Sequence, residues 1–85
     1  MTDVAMPLAG TNSLVLRAKA GDRDAFEALV EANASDLLRL AKSILLDGYA
    51  AEDAVQDGLL AAWNSLPGLR DPGSFDIWVR RIVAN

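Results

Sequence analysis

Between Phe26 and Leu45 the apolar residues Phe26, Leu29, Val30, Leu37, Leu40, Ala41, Ile44 and Leu45 recur at steps of three and four, with Asn33 keeping the rhythm. That spacing is one face of a 3.6-residue period, so it predicts a long helix over about Arg23 to Leu46. Asp22 precedes it as a capping residue. Asp24 and Glu27 lie near its positive end and Lys42 near the other, as the helix dipole prefers. Asp47-Gly48 then breaks the pattern.

The rest of the chain is punctuated into shorter pieces of the same kind. Residues 1–12, with Pro7, Gly10 and Asn12, read as a flexible N-terminal arm, leaving 13–85 as the domain. A short helix is expected from Ser13 as N-cap through Leu14, Val15, Leu16 and Ala18 to about Ala20, with Gly21 where a terminating glycine belongs. A third helix should run from about Ala51 to Ser65. Its apolar stripe is Ala51, Ala54, Val55, Gly58, Leu59 and Ala62, and residues this small imply close approach of another helix. Pro67-Gly68 ends it, and Leu66 to Gly73 is a loop. A last helix starts near Ser74 with Phe75, Trp78, Val79 and Ile82 as its core face, Trp78 included. That helix has no stop signal at Asn85, which reads as a chain cut within its last helix; the alternative is that Asn85 is itself the cap. The expected fold class is all-α, a compact bundle of three to four helices, with no internal repeat.

Composition removes most kinds of chemistry. The 85 residues hold no His and no Cys. Thiol nucleophiles, imidazole bases, thiolate zinc sites and disulfides are therefore excluded, and no cofactor is expected. At 52% apolar and 24% charged the chain is globular. No apolar run approaches the ~18 residues of a membrane span, and the N-terminus lacks the features of a signal peptide, so the expected compartment is the cytoplasm. The net charge of −4 is unevenly spread. Residues 1–69 carry five bases and ten acids, residues 70–85 three bases and two acids. The stretch 47–69 has four acids and no Lys or Arg. One part of the surface should repel nucleic acid while the C-terminal end tolerates it.

Two faces are candidates for function. On the third helix, Asp53, Gln56, Asp57 and Leu60 fall at steps of three, four and three, opposite the small stripe. Asp53 and Asp57 repel each other at i,i+4, an arrangement a purely structural surface avoids by interspersing Lys. Exposed Leu60 and Trp63 beside the acids make an apolar anchor in a charged surround, as in a partner-binding patch. A solvated face whose acids serve the helix dipole fits the same pattern. Trp63 is open between core and interface. On the last helix, Ile77, Arg81, Ala84 and Asn85 share the outer face with Arg80 beside them. Arg suits phosphate and Asn base edges; ordinary solvated arginines are the alternative. Glu52, Asp53 and Asp57 are also carboxylates to offer as general acids or magnesium ligands. Nothing else converges on them, so no enzyme is expected.

Taken in order, three segments resemble one family. Leu14 to Leu29 (LVLRAKAGDRDAFEAL), Tyr49 to Trp63 (YAAEDAVQDGLLAAW) and Leu66 to Asn85 (LPGLRDPGSFDIWVRRIVAN) are similar to the region 2 domain of bacterial extracytoplasmic-function (ECF) RNA polymerase sigma factors. The resemblance implies a bundle that docks on the β′ clamp helices of core RNA polymerase. The family's D-x-x-Q-[ED] element is matched by Asp53, Gln56 and Asp57, the last in place of the commoner Glu, with Leu60 and Trp63 extending the contact. It also implies recognition and melting of the promoter minus-ten element as single-stranded DNA. There Leu69 and Arg70 fall in the loop that holds a flipped base, and Asn85 matches the Asn that reads it. Leu69 stands where many relatives carry an aromatic; an aliphatic side chain wedges but stacks poorly. An anti-sigma factor is a further implied partner. The competing class is an acidic helical adaptor with no nucleic-acid role, which gives Arg80, Arg81 and Asn85 nothing to do.

Overall fold

Two aspartates set where the longest helices begin. In the computed structural model, which describes residues 7–85, the elements are α1 (Pro7–Lys19), α2 (Arg23–Leu45), α3 (Gly48–Ser65) and α4 (Phe75–Ala84), with 3-10 turns at Leu66–Gly68 and Pro72–Ser74 between the last two. The Asp22 carboxylate accepts the Ala25 N–H at 3.1 Å, satisfying an otherwise orphaned donor of the first turn of α2. It also pairs with Arg17 of α1 at 2.9 Å, tying the two helices across the Gly21 turn. Gly21 sits at φ 102°, a backbone that side chains resist. Asp47 does the same work for α3, accepting from Tyr49 and Ala50 at 3.0 and 3.2 Å. The break expected at Asp47-Gly48 is therefore also a start signal, and α3 begins three residues before Ala51.

Helix α1 also begins early. The start expected at Ser13 is corrected to Pro7, because proline in a first turn lacks only an N–H that would be orphaned anyway. Of the arm expected over 1–12, residues 1–6 lie outside the described residues and 7–12 belong to α1.

The two-residue link Leu46-Asp47 makes α2 and α3 an antiparallel hairpin, with α1 packed on α2 and α4 on α3. Phe26, Leu29, Leu37 and Ala41 of α2, Val15 and Ala18 of α1, Ala51, Val55 and Ala62 of α3, and Phe75, Val79 and Val83 of α4 form the core. Each fully buried Leu, Val or Phe contributes about 1.5–3 kcal/mol by leaving water. No polar side chain is buried among the described residues, so the core incurs no unpaired desolvation cost. Asn33, the polar member of the α2 stripe, is half-buried and donates to the Leu29 carbonyl at 2.8 Å.

The small stripe on α3 meets α4. A Cβ on Gly58 would sit 2.7 Å from Val83 Cγ2 and 3.0 Å from Val83 Cα, closer than real Cβ contacts. Glycine is thus the residue that this crossing requires. Val83, outside the expected core face of α4, is buried, whereas Trp78 and Ile82 are only half-buried at its margin. The apolar rhythm of α2 likewise runs past the bundle's edge. Ile44 and Leu45, expected in the core, are exposed because no helix of the described residues covers the hairpin tip. Leu16 of α1 is exposed too.

The loop before α4 is held from beneath. Leu66 and Leu69 are buried, and the Nζ of Lys19 donates to the Leu69 carbonyl. Ser74 does not cap α4 with its side chain. Its hydroxyl instead donates to Asp71, whose carboxylate also accepts the Gly73 N–H at 3.0 Å and so caps the second 3-10 turn.

Candidate functional site

Because Ala51, Val55, Gly58 and Ala62 face inward, helical geometry turns Asp53, Gln56, Asp57 and Leu60 outward on the opposite side of α3. All four are exposed, Leu60 at 65%. The strip is acid, amide, acid, apolar over two turns, with no Lys or Arg on α3 to neutralise it.

Its C-terminal half borders a cleft of about 370 Å³ lined by Arg23, Phe26, Glu27, Gln56, Leu59, Leu60 and Trp63. The hairpin creates this cleft by setting the start of α2 against the end of α3. Trp63, half-buried, stacks obliquely on Phe26 with ring centroids 5.0 Å apart and planes at 55°. The Arg23 guanidinium lies 6.0 Å above the indole, within cation–π range. Trp63 is therefore both: one side packs on the core, the other walls the cleft. Gln56, Leu60 and Trp63 of the expected set come together here, while Asp53 and Asp57 stand beside them on the helix surface. The walls from α2 (Arg23, Phe26 and Glu27) were not among the expected site residues. The signal for them is the short Leu46-Asp47 link, which forces that end of α2 alongside Trp63.

The second face is on α4. Ile77 (60% exposed), Arg80 and Arg81 line a shallow depression of about 360 Å³ with Leu40 and Ala84. Asn85 lines a different recess of about 140 Å³, with Ala41, Ile44, Leu45, Ala54, Val83 and Ala84. Arg70 is exposed on the loop. Leu69, expected in the loop that holds a flipped base, has its side chain in the core at 5% exposure. An apolar residue between two tight turns gains more from burial than from projecting into solvent.

Among the described residues no group of three or more His, Cys, Asp or Glu is placed to hold a metal ion. None of their helices is long and apolar enough to cross a membrane. The described surface carries an acidic strip with an apolar cleft on α3, and arginines beside an exposed isoleucine on α4.

The sigma-70 region 2 family model matches residues 29–85. A probable RNA polymerase sigma factor RfaY of Xanthomonas campestris pv. campestris is 37% identical over 68 residues, covering 80% of this chain and 17% of that protein. The ECF RNA polymerase sigma factor SigM of Mycobacterium tuberculosis is 36% identical over 66 residues, 78% of this chain and 34% of its own length. The RNA polymerase sigma-H factor of Pseudomonas aeruginosa is 32% identical over 72 residues, 85% of this chain and 37% of its own. The chain thus spans well under half the length of these relatives. No solved structure gives a significant match. With the all-helical bundle, the outward D-x-x-Q-D strip and a family match over most of its length, the chain belongs to the sigma-70 region 2 family.

Proposed function

We propose that this domain docks on the β′ clamp helices of core RNA polymerase through the outer face of α3 and takes part in recognising and melting the minus-ten promoter element through α4 and the preceding loop. It acts as a non-catalytic initiation factor in the cytoplasm, with an anti-sigma factor as a further partner of the same surfaces. The observation that carries this reading is the exposed strip of Asp53, Gln56, Asp57 and Leu60 beside the Trp63 cleft. An uncompensated acidic helix face next to an apolar recess suits a basic helical partner that inserts an aliphatic side chain. Arg70, Arg80 and Arg81 supply phosphate contacts on the other face, and Asn85 an edge reader.

Binding to the isolated clamp helices at low and moderate salt tests the docking half. Asp57→Arg should abolish measurable binding and Gln56→Ala weaken it about tenfold, with helical circular dichroism unchanged. Trp63, sitting in the cleft wall, gives a fluorescence signal of engagement. Undiminished affinity in Asp57→Arg would remove the contact assignment. Absence of binding by the folded wild type at either salt would favour the acidic adaptor instead.

A further inference from the structure

The segment 69–71 lies between the two 3-10 turns, and Leu69 is extended there with φ −73° and ψ 118°. Its side chain is anchored in the core and its N–H returns to the Leu66 carbonyl at 3.0 Å. Its own carbonyl takes the ammonium of Lys19, 50 residues earlier in the last turn of α1. Lys19 is half-buried, so its stem lies against protein while its head reaches the loop. The Asp71 bonds to Gly73 and Ser74, by contrast, are local to the loop. Arg70, directly after the clamped carbonyl, is exposed.

We propose that Lys19 is a positioning residue for the α3–α4 loop: by holding the Leu69 carbonyl it fixes the backbone from which Arg70 meets a nucleic-acid strand. This rests on the proposed DNA role of that loop, and it extends the strand-binding apparatus to α1, which lies outside residues 29–85 of the family match. Two anchors converge on one residue, an apolar side chain below and a charged donor on the carbonyl. The direction of the next side chain follows from both. A charge-assisted hydrogen bond to a carbonyl is among the stronger polar contacts a helix end can make with a neighbouring loop.

Lys19→Met keeps the apolar stem and removes the donor, whereas Lys19→Arg keeps donor and charge. Two readouts separate the possibilities: amide hydrogen exchange at Leu69, Gly73 and Ser74, and affinity for a fluorescein-labelled random-sequence DNA single strand. Lys19→Met is expected to speed exchange at those amides and to weaken strand binding, each about tenfold. Clamp-helix binding should be unchanged, and Lys19→Arg should restore both losses. Unchanged loop exchange in Lys19→Met would overturn the positioning role. Faster exchange with unaltered strand affinity would overturn its link to recognition. Failure of the wild type to bind any strand would refute the DNA reading itself, while the exchange data would still decide whether Lys19 holds the loop.

Discussion

Leu46 ends α2 with a left-handed backbone, φ 58°, while its amide returns to the Lys42 carbonyl at 3.0 Å. The left-handed region costs an ordinary L-residue about 1–2 kcal/mol, and glycine visits it freely. With its side chain 87% exposed, Leu46 recovers nothing by burial. Leu46→Gly should therefore stabilise the fold by about 0.5–1 kcal/mol after the entropy glycine adds to the unfolded chain, read by urea unfolding. A lower midpoint would contradict this. Asp22 makes a second prediction at this scale. The Ala25 amide and then the Arg17 guanidinium hold its carboxyl below the usual carboxylate range. A carboxyl depressed in the folded state adds stability above its unfolded pKa and loses it as pH falls through the folded one. Thermal stability should thus decline below about pH 4, and Asp22→Asn, which still caps, should flatten that part of the profile.

Gly58 ties two elements together. Gly58→Ala gains about 1 kcal/mol of helix propensity but drives a Cβ into the β-branched Val83. The expected net is a loss of about 1–2 kcal/mol, partly relieved on a Val83→Ala background, which removes Cγ2 but leaves the Val83 Cα 3.0 Å away, a coupling that a double-mutant cycle measures. That α3 needed a close neighbour was legible in its run of small residues. Which helix supplied it was not, because a stripe shows what a face excludes but not what meets it. The same distinction explains the other departures. The period of α2 identifies its inner face correctly at Phe26, Leu29, Leu37 and Ala41, yet continues to Ile44 and Leu45, which the end of α4 leaves exposed. The D-x-x-Q-D strip was legible because helical spacing alone turns those residues outward once Val55 and Gly58 turn in. The cleft beside it depends on Phe26 and Arg23, some 40 residues away, and on the hairpin that returns the chain to them. The burial of Leu69 has a related reason: sequence marks 66–73 as a loop, but only the fold shows that its leucines face inward.

At the scale of the molecule, charge is sorted by face. The acids of α3 stand without bases, and Arg70, Arg80 and Arg81 account for every positive charge after residue 69. A partner of either sign is therefore steered to its own side, with a range set by the Debye length, about 10 Å at 0.1 M salt. Arg81→Ala should reduce the slope of log affinity against log salt for a DNA single strand by about 0.7, the value for one neutralised phosphate, and leave clamp-helix affinity alone. An unchanged slope would place Arg81 off the strand's path. The Gly58–Val83 crossing lies between these two faces and has a consequence for descent. A side chain at 58 is accommodated more easily where 83 is already smaller, whereas 83 can shrink first at the cost of a cavity. Substitutions at the two positions are therefore expected to be coupled, although they lie 25 positions apart in the chain.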